Sequence, residues 1–274
     1  MTYSVTIIDV GVHYHCFQEV AETIAKGLEE LGAGDGIVRY GRYRQDATNI
    51  VLGWNTLTWA PEKMPPPGSI LYNLEQVSPE SPWFQSPNLA LLRAFSVLDY
   101  SPRNVMALAE MGIVAKLLPV GYHPDLTRGW PEVEKDVDVL FVGSENERRT
   151  QVLNGLRLKG LRVESLFGVY GRDRDQWFNR AKIVLNMHYY DAKVFEVVRC
   201  SYLLANSVFV VSETGDPEGE QPFADSILLC PYEELVDACV RALAEPEICR
   251  ERAERGLRIM EGRRIERFLK EALC

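Results

Sequence analysis

Short apolar runs of strand length alternate with helical patterns along most of the chain. The run "SVTIIDV" at 4–10 precedes "FQEVAETIAKGLEELG" at 17–32, in which apolar side chains recur every three or four positions. Strands that are apolar throughout and separated by helices are typical of a parallel sheet covered on both faces. Further runs of this kind are "GIVRY", "NIVLGW", "SILYNLE", "AFSVLDYS" and "VAKLLPVGY".

A change of composition divides the chain. Residues 123–136 are rich in proline, glycine and charge and have no periodicity, which is typical of a linker. A second alternation of strands and helices then starts at "VDVLFVGS". We therefore predict an N-terminal α/β domain at 1–122 and a C-terminal α/β domain at 137–258. The remaining helix, 259–274, is expected to pack back on the N-terminal domain.

The composition of the chain argues against several classes of protein. A net charge of -9 argues against a protein that coats nucleic acid, because binding to phosphates draws on many lysines and arginines. No apolar run approaches the length needed to span a membrane, and the N-terminus lacks the basic start of a signal peptide. We expect a cytoplasmic protein with reduced cysteines. The six cysteines form no C-x-x-C pair, and we predict no metal site.

One candidate anion site follows the strand at 137–144. Gly143 and Ser144 end this strand, and the helix that comes next carries Arg148 and Arg149. Backbone N–H groups at a helix start, with arginines nearby, suit a phosphate group. The sequence "GSENER" is neither a dinucleotide-binding nor a P-loop motif. An ordinary turn with solvated arginines is therefore the alternative interpretation.

A second candidate site lies in "DAKVFEVVRCSYLLAN", which we predict to be one helix over 191–206. Glu196 and Arg199 are three positions apart and share one side of that helix. They could form a solvated ion pair of little energy. Alternatively, the Glu196 carboxylate accepts hydrogen bonds from the vicinal hydroxyls of a ribose, while phosphates bind at the helix N-terminus.

The order of elements from residue 181 to 270 resembles the C-terminal half of a GT-B glycosyltransferase of the group-1 type, including its CgeB-like branch. The resemblance rests on "AKIVLNMH", "FEVVRCSYLLANSVFVVSE", "YEELVDACVRALAE" and "PEICRERAERG", and "VDVLFVGSENERR" is similar to the first strand of the nucleotide-binding domain. It covers residues 137–272 well and the N-terminal half only in its α/β pattern. It implies two Rossmann-like domains whose parallel sheets face across a cleft. It also implies a nucleotide diphosphate sugar donor, with a UDP-sugar favoured, and no cofactor.

The resemblance also assigns roles. Glu196 matches the glutamate that binds the donor ribose in that family. Many members have a second glutamate eight positions earlier, where this chain has His188. His188 thus becomes a candidate contact to the sugar or the pyrophosphate. Arg148 or Arg149, together with Lys193, would neutralise the diphosphate in place of a metal ion, and Arg199 would assist in holding the nucleotide.

Acceptor-side residues follow strands of the N-terminal domain. His13 and His15 come after the first strand, and a histidine there can remove a proton from an acceptor hydroxyl. Both could equally be satisfied by backbone groups at a helix start. The loop "YNLEQVSPESPWF" mixes polar side chains with Trp83, as carbohydrate or nucleoside sites often do, and Asp99 follows another strand.

The sequence therefore predicts a metal-independent glycosyltransferase that acts on a small nucleotide sugar and an unidentified acceptor hydroxyl, with nucleic acid an unlikely partner and no membrane span. Three alternatives remain: a nucleotide-sugar epimerase of the same fold, a DNA-modifying glucosyltransferase, and an inactive protein that binds sugar nucleotides. The two D-x-D matches, Asp136/Asp138 and Asp173/Asp175, are interpreted as structural.

Overall fold

The computed structural model describes residues 1–78 and 81–273, with His13 described by its backbone alone. The chain forms two compact units. The first comprises Met1–His123 and the C-terminal segment that begins at Arg263, and the second comprises Pro124–Gly262. None of the helices in the described residues is long and apolar enough to cross a membrane.

The first unit is built on one parallel sheet. Within the described residues it has six strands: β1 (Tyr3–Ile7), β2 (Val38–Tyr40), β3 (Thr48–Leu52), β4 (Ile70–Asn73), β5 (Ser96–Asp99) and β6 (Ala115–Leu117). Their order across the sheet is β2-β1-β3-β4-β5-β6. Three helices connect them: α1 (Gln18–Glu30), α2 (Asn88–Ala94) and α3 (Pro102–Glu110).

The apolar pattern of the sequence explains this layering. Every residue of β1 is buried, as expected for a strand covered on both faces. The core on one face includes Val51, Leu71 and Val97 from three neighbouring strands, and the indole of Trp54 fills it further. The helix α3 begins with a proline, whose missing N–H is not needed in a first helical turn.

The second unit has the same architecture. Its described strands are β7 (Val137–Val142), β8 (Val163–Leu166), β9 (Ala181–Asn186), β10 (Val210–Glu213) and β11 (Leu228–Cys230). All five are parallel, in the order β11-β10-β9-β7-β8. The helices are α4 (Glu147–Leu158), α5 (Gly171–Arg180), α6 (Val197–Ala205), α7 (Pro217–Glu220), α8 (Leu235–Leu243) and α9 (Pro246–Glu261).

The last helix, α10 (Ile265–Leu273), belongs to the first unit and packs on α1. Gly27 of α1 makes this approach close. A Cβ atom at that position would lie 2.6 Å from the Cγ2 atom of Ile265. The chain therefore enters the second unit at Pro124 and returns to the first at Arg263.

Strand order locates the ligand-binding edge of each sheet. In both units the chain moves outward in one direction from a central strand and then reverses, so a switch point lies between β1 and β3 and another between β7 and β9. Doubly wound sheets bind ligands outside the carboxyl ends of the strands at such points. Loops that follow β7 and β9 are therefore the first place to look for a site in the second unit.

Candidate functional site

The turn after β7 brings two arginines together at a glycine. Gly143 has a φ of +155°, and a Cβ atom there would lie 3.3 Å from a terminal nitrogen of Arg199 and 3.7 Å from one of Arg149. The α4 helix starts immediately afterwards, where the Asn146 side chain accepts a hydrogen bond from the Arg149 N–H at 2.9 Å. Glycine therefore leaves open the space that these two guanidinium groups border.

Arg149 is held in place by carbonyl groups, and no carboxylate among the described residues is bonded to it. Its guanidinium, 3% exposed, donates to the Ser144 carbonyl at 2.8 Å and to the Met187 carbonyl. Within the described residues its Nε atom has no hydrogen-bond partner. Burial, followed by the nearby Arg199 charge, lowers the pKa of Arg149 to about 10. The buried Arg149 and the half-buried Arg199 are two cations at close range, which favours the binding of an anion.

The predicted helix over 191–206 is wrong at its N-terminal end, because α6 begins at Val197. Val194 and Phe195 are buried, and the Phe195 N–H donates to the Asp216 carboxylate at 3.1 Å instead of to a helical carbonyl. Lys193 has a φ of +48°, a backbone conformation that non-glycine residues rarely adopt. Glu196 therefore lies at the N-cap position of α6, where its side chain makes no capping hydrogen bond, rather than on the side of a helix.

Asn186, at the carboxyl end of β9, links the two charged residues of this segment. Its side-chain nitrogen donates to Glu196 at 2.9 Å and to the Ser212 hydroxyl at 3.0 Å, and its oxygen accepts from Arg199 at 2.8 Å. Glu196 and Arg199 are thus bridged by an amide. The sequence analysis missed Asn186, although a polar residue that ends the apolar run "KIVL" was a usable signal.

His188 and Glu196 form a buried pair. The His188 Nδ1 atom lies 3.1 Å from the Glu196 carboxylate, and the histidine is 1% exposed. Burial alone would raise the pKa of Glu196, but its hydrogen bond to His188 and the charges of His188 and Arg199 lower it to about 2. Glu196 is therefore ionised at neutral pH. Within the described residues the buried His188 Nε2 atom has no hydrogen-bond partner, and it lies 3.2 Å from the position that a Cβ atom of Gly215 would take.

A second carboxylate, Glu213 at the end of β10, orders the remaining cations. Glu213 is fully buried and accepts two hydrogen bonds from Arg148, one of them at 2.7 Å. Its carboxylate also lies 3.1 Å from the Lys193 Nζ atom and accepts the His188 N–H at 3.2 Å. Burial would raise the pKa of Glu213, and Arg148, His188 and Lys193 outweigh this and lower it.

The structure therefore gathers most of the predicted donor-site residues at one edge of the second sheet. Arg148, Arg149, Lys193 and Arg199 supply four positive charges, while Glu196 and Glu213 supply two negative ones. Among these six side chains the positive charges outnumber the negative ones, and Arg149 and Arg199 are the pair that borders the space at Gly143. Ser144 enters this arrangement through its backbone carbonyl, as an acceptor for Arg149. Glu213 was missed by the sequence analysis, although an acidic residue that ends the apolar run "VFVVS" is unusual.

The predicted acceptor-side histidines lie in the first unit, at the carboxyl end of β1. His15 is half-buried and its ring lies 4.0 Å from that of Tyr14, centroid to centroid. The side chain of His13 lies outside the described part of the structure. No other residue of the predicted site lies in this unit, and the role of either histidine as a base stays a prediction.

Two sets of acidic side chains in the described residues could be mistaken for metal ligands, but their carboxylates are paired with cations. Glu30, His123 and Glu266 have ligand atoms within 4.8 Å of one another, but Arg264 pairs with both carboxylates at 2.9 and 2.7 Å. Of the D-x-D residues, Asp136 pairs with Arg180 at 2.7 Å and Asp138 pairs with Lys182 at 2.7 Å. These contacts favour a structural role for Asp136 and Asp138.

No protein-family model matches the chain. Among curated proteins it is similar to the uncharacterized protein L140 of Acanthamoeba polyphaga mimivirus, with 24% identity over 248 residues that cover 87% of this chain and 79% of that protein. It is 32% identical over 113 residues to the uncharacterized protein L138 of the same virus, which corresponds to 40% of this chain and 13% of that protein. The chain thus spans a small part of L138.

Solved structures give a more informative comparison. Sucrose-phosphate synthase from Thermosynechococcus elongatus has a TM-score of 0.55 and 15% identity, covering 82% of this chain and 72% of that one. The trehalose-6-phosphate synthase OtsA has a TM-score of 0.55 and 11% identity, covering 95% and 76%. The T4 phage BGT in complex with its UDP-glucose substrate has a TM-score of 0.56 and 13% identity, covering 99% of each chain. The chain therefore consists of two parallel-sheet α/β domains that match the fold of GT-B glycosyltransferases.

Proposed function

We propose that this chain is a glycosyltransferase that takes a sugar from a nucleotide diphosphate donor, with a UDP-sugar favoured, and transfers it to an acceptor hydroxyl. One observation carries the proposal. The buried Arg149 and the half-buried Arg199 flank the space above Gly143 at the switch point of the second sheet, with the ionised carboxylate of Glu196 beside them. A nucleotide carries phosphate groups close to the hydroxyls of its ribose. Cations beside a carboxylate that accepts hydrogen bonds from hydroxyls therefore suit a nucleotide.

In this proposal the diphosphate binds at the excess positive charge, between Arg149 and Arg199. Glu196 accepts hydrogen bonds from the ribose hydroxyls. These bonds replace the contact between Glu196 and His188. The free Nε2 atom of His188 then faces the bound donor and contacts the transferred sugar or the pyrophosphate. Charge-assisted hydrogen bonds of this kind are about twice as strong as neutral ones, which favours Arg over a neutral donor at each position.

Catalysis would then depend on fixed charge. As the bond between sugar and diphosphate breaks, negative charge grows on the departing diphosphate, and cations that are already oriented stabilise it without reorganisation. Arg148 and Lys193 are oriented in this way by Glu213. We propose that these side chains act in place of a divalent cation, so donor binding should persist in the presence of a chelator.

The structural neighbours support the proposal at the level of the fold. BGT of phage T4 was solved with UDP-glucose, and the other two neighbours are named as a sucrose-phosphate synthase and a trehalose-6-phosphate synthase. The CgeB-like branch is the branch whose element order the second unit resembles, and we propose it as the relevant one. His13 or His15 is proposed as the base that accepts the proton of the acceptor hydroxyl.

Thermal unfolding of the whole chain against a panel of nucleosides, nucleoside diphosphates and nucleotide sugars tests the proposal. A ligand that binds only the folded state raises the melting temperature by mass action. We expect UDP and UDP-sugars to raise it, uridine to have little effect, and EDTA to leave the shift unchanged. A melting temperature that no nucleoside diphosphate raises would contradict the proposed donor site.

A further inference from the structure

A pair of tryptophans, of which Trp59 is exposed and Trp83 half-buried, lies on the first unit. The side chain of Trp59 is 65% exposed, and its ring meets that of Trp83 edge to face, with centroids 5.3 Å apart. Trp59 ends the 3₁₀ helix Trp54–Trp59, which follows β3, and Trp83 lies in the 3₁₀ helix Pro82–Phe84, which follows β4. Both therefore lie on loops at the carboxyl edge of the sheet, and the Trp59 loop lies at the switch point between β1 and β3.

A buried aromatic contact fixes these two loops against each other. Trp54 and Phe84 are buried and pack edge to face, with centroids 5.9 Å apart. Each loop thus carries one tryptophan of the outer pair and one ring of a buried aromatic contact. An indole held in this way keeps its orientation, so its exposed face can bind a ligand without loss of side-chain freedom.

Polar groups with unused hydrogen-bonding capacity lie in the same two loops. Asn55 is 4% exposed and its side-chain nitrogen donates to the Glu75 carboxylate at 3.2 Å. Within the described residues the Asn55 side-chain oxygen has no partner, and Glu75 forms no ion pair. Burial raises the pKa of the Glu75 carboxyl to about 7, with Asn55 acting in the opposite direction, so it can both accept and donate hydrogen bonds near neutral pH.

The backbone of Glu75 is anchored by two amide side chains. The Glu75 N–H donates to the Asn73 side-chain oxygen at 3.2 Å, and its carbonyl accepts from Asn73 and from Asn104, each at 2.9 Å. This anchoring sets the position of the carboxyl group relative to Asn55. Asn55 and Trp59 are four positions apart, which at the rise of a 3₁₀ helix is about 8 Å. That distance suits a ligand one or two sugar rings long.

We propose that Trp59, Trp83, Asn55 and Glu75 form a site for a neutral saccharide. This inference rests on the proposed function, because the saccharide would be the acceptor of the transferred sugar. The C–H face of a sugar ring lies against the exposed indole, as apolar surface does on an aromatic ring. Its hydroxyls bond to the free oxygen of Asn55 and to the Glu75 carboxyl. A sugar hydroxyl both donates and accepts, which matches this mixture of groups.

Charge favours a neutral ligand over a nucleic acid. A base could stack on the same indole, but its phosphates would need cations beside the ring. The carboxyl of Glu75 has no bonded cation in the described residues, and Lys63, four positions after Trp59 in the sequence, is paired with Asp9 at 2.6 Å. The chain as a whole carries a net charge of -9.

Binding of the whole protein to a broad glycan array, followed by calorimetric titration with the best glycan, tests the site. We expect W59A to weaken glycan binding about tenfold or more, because one aromatic contact is lost. E75Q should also weaken it, since the carboxyl is replaced by an amide of similar shape. The matched control is W177A, which removes a half-buried tryptophan of the second unit and should leave glycan binding unchanged.

UDP titration of the same variants separates this inference from the proposed function. W59A should bind UDP as the wild-type protein does. Glycan binding without UDP binding would contradict the donor site and leave the saccharide site intact. Absence of any glycan binding, equal binding by W59A and wild type, or binding of a single-stranded oligonucleotide at the tryptophans in place of a glycan would overturn the saccharide site.

Discussion

Arg148 and Glu213 form an ion pair with two hydrogen bonds. The Glu213 side chain is fully buried, whereas the Arg148 side chain is 29% exposed. Glu213 also holds Lys193 and the backbone N–H of His188. One carboxylate thereby orients two cations at the edge of the proposed donor site. Removing a single partner from such a pair leaves a buried charge uncompensated, which costs more than removing both partners.

We therefore expect R148A to lower the free energy of unfolding by about 2–3 kcal/mol, with Lys193 limiting the loss. The double variant R148A/E213Q should recover part of that loss, because it no longer buries an unpaired carboxylate. Urea unfolding of the wild type, both single variants and the double variant gives the coupling energy. Losses that simply add in the double variant would contradict the role assigned to Glu213.

Gly143 provides a test of the anion site that leaves every charge in place. In G143A the new methyl group would lie 3.3 Å from the Arg199 guanidinium and close the space beside Arg149. We expect weaker UDP binding by about tenfold, measured by calorimetric titration. Since the variant also places alanine at a positive φ, stability should fall by about 1 kcal/mol.

G168A is the matched control for that variant. Gly168 has a φ of +72°, and a Cβ atom there would have no neighbour within 4 Å. G168A should therefore show a comparable loss of stability with unchanged UDP affinity. Equal UDP affinity in G143A and G168A would mean that the space above Gly143 does not receive the diphosphate.

Asp99, at the end of β5, should make stability depend on pH. Burial raises its pKa from 3.8 to about 7, although hydrogen bonds from Asn73 and Ser101 act in the opposite direction. Between these two values the folded chain holds a proton that the unfolded chain has released. The contribution of Asp99 to stability is therefore complete below about pH 4 and is lost as the pH rises towards 7, by about 1.4 kcal/mol per unit.

D99N should lack this dependence. We expect the difference in the free energy of unfolding, wild type minus D99N, to decrease from pH 4.5 to pH 7.5 in urea titrations. The change of the difference with pH is diagnostic, because the absolute cost of the substitution also includes altered hydrogen bonds to Asn73. A difference that stays constant or increases over this range would contradict the raised pKa.

The alternation of apolar runs and helical patterns was sufficient to predict two parallel-sheet domains. A strand that is buried on both faces is apolar along its whole length, and such a run is recognisable from the sequence alone. The helix over 191–206 was predicted too long for a related reason. Val194 and Phe195 have the spacing of a helix, but their burial is achieved by a loop that Asp216 ties down from 21 residues away. Such a contact leaves no local signal in the sequence.

The candidate site was predicted in part. Glu196, Arg149 and His188 were found through spacing and resemblance, and the structure brings them to one edge of the second sheet. Asn186 and Glu213 were missed, since each ends an apolar strand and looks from sequence like the start of a turn. Their importance follows from strand order, which places the ends of β9, β7 and β10 side by side.

The most direct test of the account is calorimetric titration of UDP into wild-type protein and E196A, with E164A as the control. Glu164 is a half-buried carboxylate on β8 in the same unit. E196A removes the carboxylate that receives the ribose hydroxyls, so we expect UDP affinity to fall about tenfold or more while E164A binds as the wild type does. Unchanged affinity in a folded E196A would contradict the assignment of the donor site.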